Sequence, residues 1–459
     1  MVNETATTAS PWRIYGLIGG AIALSTLNFS LVFVAFGEIE ETFDVSKETV
    51  SWALTAFSIT TAAVFVPAGW AADRFGRARM FLTGFGLFIV GSALVSVSPT
   101  VEFLIFARMV QAAGLAIESP ASLALVLDAF PPERRSTAVG AMGAVGGVAV
   151  AIGPAVGGAL IDNLTWRWAF FINVPLGILV FALVAPRLPR DDVGRGPKRQ
   201  PPDLVGVALL MLGIAALAMG IVQSDDWGYT DRRTVAAITI ALVVLPILIA
   251  RSARHAEPIL YLPLFGDHDF RVGSSLSFLV AGTFAGTFLA MVQLMSQSWG
   301  LSLMWSGLAV GMIPAIAGPM SVVAGRLADR YGHRAVILPG SLLLAGSAIW
   351  MYTQVTEERQ LLAVWVPFVV LYGFGVGCAH AATQAAALNN VTGDRLGIGG
   401  SMNRISQEIG QTLCAAIVIA MLARYGVVDG VKASMILLLV MSLLAAPLAA
   451  QLRHRGQPA

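Results

Sequence analysis

Charge is scarce in this chain of 459 residues. Only 12% of them are Asp, Glu, Lys or Arg, against roughly 25% in soluble globular proteins. An ordinary cytosolic enzyme is thereby excluded, because so few polar groups cannot cover a chain of this size. Cysteine is nearly missing. Cys378 and Cys414 both fall inside apolar runs, which leaves no disulfide framework and no metal-ligand spacing. The net charge is only +2, so the basic footprint of a nucleic-acid binder is missing and no such partner is expected. Gly-x-Ser-x-Gly, His-Glu-x-x-His and Gly-x-x-x-x-Gly-Lys-Ser/Thr do not occur in the sequence. Hydrolytic, zinc-dependent and ATP-driven chemistry on this chain are therefore not expected, nor is a cofactor.

What is present is apolar. Hydrophobic residues make up 56% of the chain, and its mean hydropathy is +0.76. Crossing the hydrocarbon of a bilayer takes about 20 mostly apolar residues. Fourteen such runs can be read along the sequence, which predicts an all-α polytopic membrane protein with lipid around it. The first run is too long for a signal-peptide core and lacks a clear small-residue cleavage site.

Lys and Arg concentrate in cytoplasmic loops. With the N-terminus inside, 20 of the 29 basic residues fall in cytoplasmic segments and 7 in outer ones, while Arg108 and Arg404 lie within spans. Both termini are expected in the cytoplasm. The Pro- and Arg-rich stretch 187–202 reads as a solvated linker. The predicted order is a tail (1–13), six spans (14–186), the linker, a two-helix hairpin (203–250), a cytoplasmic connection (251–271), six more spans (272–452) and a tail (453–459). Within the connection, residues 259–262 could lie in the interface as an amphipathic element.

One loop occurs twice. Gly69-Trp-Ala-Ala-Asp73-Arg74-Phe75-Gly76-Arg77 follows the second span, and Gly325-Arg-Leu-Ala-Asp329-Arg330-Tyr331-Gly332-His333 follows the tenth. Without the hairpin, the tenth span is the second of the later six. Each half thus carries the same loop at the same place, as expected of two parallel repeats in a transporter. Gly permits the tight turn, and the Asp carboxylate can face an Arg or a helix N-terminus.

This duplicated loop resembles the signature of the major facilitator superfamily. Other motifs resemble its fourteen-span drug:proton antiporter branch. Arg108-Met-Val-Gln111-Ala-Ala-Gly114 is similar to that branch's Arg-x-x-Gln-Gly-x-Gly, with Ala112 in place of the first Gly. Gly153-Pro154-Ala-Val-Gly157-Gly158 is similar to its antiporter motif, and Trp166-Arg167-Trp168 through Asn173-Val-Pro175-Leu-Gly177 to the start of its sixth span. The resemblance implies a major facilitator fold of two six-helix bundles plus an inserted hairpin, with fourteen transmembrane helices. It also implies multidrug efflux by alternating access, proton-coupled, in the cytoplasmic membrane of a bacterium, a property linked to antibiotic resistance. A monomer is expected, with an amphipathic small molecule, protons and lipid as partners. The first span departs from the pattern. Asn28 stands where the branch has Asp, Phe33 where it has Asn, and Gly37 where it has Pro. Asn cannot titrate, so the alternative is an exporter or facilitator of one lipid or metabolite with altered or no proton coupling.

Ionisable groups at membrane depth each need a reason, since a charge there costs several kcal/mol. Five are read as candidates for proton coupling. Glu118 lies about 15 Å along its helix from Arg108, so the two cannot pair. It must find a partner on another helix, face a wet cavity or stay protonated. Arg108 is either part of the family's relay motif or a helix anchor. Arg404 and Glu408 are four apart, share a face and can pair, either structurally or as a pair opened by substrate or proton. His380 fits a relay or a packed, hydrogen-bonded side chain. Asp128 and Asp162, near span ends, are read as solvated. Asn28, Phe29, Phe33, Gln293 and Gln297 are candidates for lining a substrate pocket, together with Met291, Met295 and Trp299.

Overall fold

The computed structural model describes residues 11–130, 135–188, 203–256, 258–391 and 396–452. The tails 1–10 and 453–459 and most of the expected linker lie outside the described residues. So do the side chains of Phe29, Asp73 and Asp329. Among the described residues there is no strand.

The first half contains α1 (Pro11–Phe43), α2 (Lys47–Phe75), α3 (Arg77–Ser96), α4 (Val101–Ala129), α5 (Arg135–Asn163), and the short α6 (Trp166–Phe171) and α7 (Asn173–Val184), which form one pass. A hairpin follows, built from α8 (Leu204–Val222), the single turn α9 (Ser224–Trp227) and α10 (Arg232–Ser252). The second half is α11 (His268–Gln293), α12 (Leu303–Tyr331), α13 (Arg334–Gln354), α14 (Val366–Leu388), α15 (Leu396–Tyr425) and α16 (Val427–Ala450). The end at which α1 begins and α16 finishes is here the terminal face; the other end is the far face.

Among the described residues, twelve helical segments are long and apolar enough to cross a membrane, thirteen if the two parts of α1, bent by 41° between Asn28 and Leu31, count as one span. The remaining expected span is α2, a continuous helix of 29 residues in which the side chains of Val66 and Asp73 lie outside the described residues. Ser51, Thr55, Thr60 and Thr61 of α2 are buried among neighbouring helices, so protein rather than lipid surrounds much of it.

The duplicated loop folds the same way twice. Gly76 separates α2 from α3 with φ 102°, and Gly332 separates α12 from α13 with φ 87°. Each caps the preceding helix, Gly76 N–H donating to the Ala72 carbonyl (3.1 Å) and Gly332 N–H to that of Ala328 (2.8 Å). This left-handed geometry suits glycine because a Cβ would clash with the backbone. Arg74 lies against the Trp70 ring and Arg330 against the Tyr331 ring.

The halves meet along two seams. The fifth helix of the first half, α5, packs on the second of the other, α12, and the reciprocal pair α2 and α15 makes the second seam. On the α5–α12 seam backbones touch. A Cβ added at Gly158 would overlap the backbone of Leu303, one at Gly307 the Pro154 carbonyl, and one at Gly311 the Ala151 carbonyl. Small residues permit such approach. The hairpin lies over the other seam. Leu210 and Ile214 of α8 share a buried cluster with Ile59, Ala62 and Ala63 of α2 and Met402 and Ile405 of α15. Residues 259–262 do not lie apart as an interfacial element. Ile259 is buried in that same cluster, and the Tyr261 N–H points at the Met402 sulfur (3.2 Å).

The hairpin is pinned at its terminal-face end. Asp203 caps α8 through the Gly206 N–H (2.8 Å) and takes two hydrogen bonds from Arg251 Nε (2.9 and 2.8 Å). Burial works against the Asp203 charge, but Arg251 and the Gly206 N–H outweigh it and hold the carboxyl below its ordinary range. A depressed folded-state pKa stabilises above the unfolded value, near 3.9, and that stability is lost as pH falls through the folded value. Asp203→Asn is therefore expected to speed amide exchange in residues 204–208 at pH 7, with the difference from wild type starting to shrink at about pH 4 and vanishing only below the depressed folded-state value. Equal exchange at neutral pH would remove Asp203 as the anchor.

Candidate transport site

Close packing of α3 on α4 sets the first polar cluster. A Cβ at Gly91 would meet the Gln111 backbone, one at Gly84 the Glu118 backbone, and one at Gly114 the Phe88 backbone. These glycines let α4 sit deep in the half and turn Arg108, Gln111 and Glu118 inward. Arg108 is 1% exposed. Its guanidinium donates to Gln111 Oε1 and to the Ala53 carbonyl, and lies 4.1 Å from the Phe57 ring centroid. Gln111 passes the network on, donating to Asn28 Oδ1 (3.0 Å) and Ser92 Oγ (2.7 Å). Asn173 donates to the same Asn28 oxygen at 3.5 Å. Asn28 is thus an acceptor at the bend of α1, tying three helices together. Asn28 Nδ2 and Asn173 Oδ1 are buried without partners.

Arg108 holds its proton at any ordinary pH, so this cluster is a fixed cation in a polar cage. Gln111→Leu would strip an acceptor from Arg108 and a donor from Asn28 and Ser92. At about 1–3 kcal/mol per buried group left unpaired, a loss of about 3 kcal/mol or more is expected. Denaturant unfolding in detergent measures it, and a change under about 1 kcal/mol would show that water replaces the side chain.

Glu118 stands apart from Arg108, as its spacing requires. It is 1% exposed, and its carboxylate accepts from Ser25 Oγ at 2.7 Å. The partner on another helix is thus a hydroxyl on α1. In the second half, Arg404 and Glu408 form the expected pair. Glu408 is buried and also receives a hydrogen bond from Ser58 of α2, across the seam. His380 Nε2 lies 3.5 Å from Gln384 Nε2, and Gln384 reaches Gln407, which donates to Asn403 (2.7 Å). Asn403 in turn donates to Ser277 (3.0 Å).

The candidate pocket residues part company. Phe33 lines a cavity between the halves with Val32, Thr55, Ser58, Arg108 and Gln411. That cavity is about 20 Å³, room for a water and not for a drug-sized molecule. Phe33 also packs on Phe288, ring centroids 5.2 Å apart. Gln293, Met291 and Met295 are buried in the core, and the Trp299 indole N–H is tied to the Thr356 carbonyl. Gln297 accepts from Lys47 at the far face (3.3 Å), which joins the two halves there.

Asp162 is exposed, as read from the sequence, and it also caps α12 of the other half, accepting from the N–H groups of Leu303 (3.0 Å) and Met304 (2.8 Å). A carboxylate favours a helix N-terminus. With the glycine seam beside it, this cap closes the far face in this conformation.

Two related bundles that meet on reciprocal seams, with ionisable groups buried near the junction, define a polytopic helical transporter. The chain belongs to the Major Facilitator Superfamily, whose family model matches residues 18–271 and 273–459. It is 28% identical over 423 residues to the tetracenomycin C resistance and export protein of Streptomyces glaucescens, covering 91% of this chain and 77% of that protein. It is also 28% identical over 407 residues to the multidrug export protein EmrB of Escherichia coli (strain K12), covering 87% and 78%. Its fold is similar to the crystal structure of a POT family transporter in complex with a thioalcohol-conjugated peptide. That match has a TM-score of 0.69 at 15% identity, with 96% of this chain and 97% of that chain covered.

Proposed function

We propose that the chain is a secondary active exporter of small amphipathic, drug-like compounds, driven by protons and working by alternating access between its halves. It performs no covalent chemistry, acts as a monomer in the cytoplasmic membrane, and keeps its terminal face in the cytoplasm, the side favoured by the 20-to-7 split of basic residues. The names of its relatives support export. The observation that carries proton coupling is Glu118, a carboxyl buried at membrane depth whose partner is the neutral Ser25 hydroxyl. Desolvation without a counter-charge favours the neutral form of a carboxyl, and wetting the site favours the charged form. Alternating access supplies that change of environment.

A second reading is uncoupled movement of one lipid or metabolite. The place of Asn28 favours it, because a neutral amide at the bend of α1 serves as a structural acceptor for Gln111. Proteoliposomes with a pH-sensitive dye inside separate the two. Substrate-dependent proton flux is expected; substrate movement with no proton flux would establish the second reading.

A further inference from the structure

Four charged side chains at membrane depth have been described, and three are hidden. Arg108 and Glu118 are each 1% exposed and Glu408 3%. Arg404 is the exception, with 37% of its side chain exposed. Its direction follows from its neighbours. It pairs with Glu408, which is bonded by Ser58 of α2, and its charge reaches His380 of α14. Arg404 therefore faces the space between α2, α14 and α15, where the halves meet.

Its hydrogen-bonding capacity is underused. A guanidinium offers five N–H donors in a planar fork. One terminal nitrogen holds Glu408, while Nε is buried with no partner. Beside it stand further polar groups with spare capacity. His380 and Gln384 are half-buried, and the side-chain bonds that join them to each other and to Gln407 are long, at 3.5 Å. The Phe284 ring lies 6.5 Å from the His380 ring, offering an apolar wall next to the polar patch. A partly open cation with an unfilled fork, next to an amide and an aromatic face, has the chemistry for a planar anion on an apolar body.

We infer that Arg404, with Gln384, His380 and Phe284, forms a recognition site for amphipathic carboxylates or similar organic anions. This rests on the exporter reading and names the substrate class it favours. A cation approaching the same space meets Arg404 first, since the Glu408 charge is covered by Arg404 and Ser58.

The test uses the full chain in lipid nanodiscs and two probes that share one apolar body and differ in head-group charge, 1-pyrenebutyrate and its methyl ester, with binding read by pyrene fluorescence and corrected for partitioning into protein-free nanodiscs. Wild type is expected to bind the acid about tenfold tighter than the ester, the scale of one charge-assisted hydrogen bond. In the double variant Arg404→Gln, Glu408→Gln, which leaves no unpaired buried charge, the preference is expected to fall by about the same factor. Arg404→Lys keeps the charge but loses the fork and should fall between. Equal binding of acid and ester by wild type overturns the site, and this needs no variant to fold. So does a preference that survives in a double variant with wild-type thermal stability. Arg404-dependent acid binding without substrate-coupled proton flux would leave this site standing and remove the proton-driven exporter. Coupled export of ethidium with no preference for the acid would do the reverse.

Discussion

Gly307→Val is expected to abolish transport while leaving the protein folded. At this position a Cβ would run into the Pro154 carbonyl of the other half. Backbone cannot swing aside as a side chain can, so the seam between α5 and α12 has to part. Overpacking of this kind costs about 3 kcal/mol, and such a bias shifts a two-state equilibrium more than about 100-fold. Clusters within each half, around Phe81 and Phe85 in the first and Leu276 and Ile337 in the second, do not involve this seam, so thermal unfolding should change less than transport. The far face should stand open. Both native cysteines are buried, so a cysteine placed at Ala151 can report on it. Maleimide should label that cysteine from the far face in the Gly307→Val background and not in wild type. Asp162→Asn removes the carboxylate charge that caps α12 and should move the same equilibrium the same way by less. Wild-type transport by Gly307→Val would mean that the seam does not tighten during the cycle.

Glu118→Gln is expected to eliminate pH-gradient-driven transport, with a drop of more than about 100-fold against the loss of a group that must titrate. Gln is nearly isosteric, and its carbonyl can still accept from Ser25 Oγ, so the fold should hold. Substrate binding should persist because the change removes a proton carrier and not a wall of the cavity. Glu408→Gln should behave differently. It weakens the hold on Arg404 and the tie to Ser58, so thermal stability should fall along with transport. Measuring flux and melting for both variants separates the roles. Normal coupled transport by Glu118→Gln would move the search for the carrier to Glu408 or His380.

The fold was legible because its signals are local or repeated. Span length, loop charge and the twin Gly76 and Gly332 loops all act over a few residues, and the resemblance to the superfamily rests on motifs of the same kind. The surroundings of α2 were less legible, because Ser51, Thr55, Thr60 and Thr61 are buried against other helices and nothing in their own stretch names those helices. The site was read only in part. The Arg404–Glu408 pair follows from helical spacing. Ser25 is 93 residues from Glu118, and nothing in either stretch marks the partnership. Asp162 looked like an ordinary span-end carboxylate because the helix it caps begins 141 residues later. Gln293 looked like a lining residue but is packed in this conformation, and Phe33 lines only a water-sized cavity, since a pocket's walls depend on which face is closed. Gln111 was visible as a motif residue, but its bond to Asn28 required the close approach that Gly91 and Gly114 allow.

The hairpin makes the two seams unequal. α8 is laid across α2 and α15 like the cloth on the spine of a book, bonded to both covers, while the α5–α12 edge carries no such binding among the described residues. A pair of covers held on one side opens by turning about that side. Opening about that side is expected to part the glycine edge more than the edge that α8 covers.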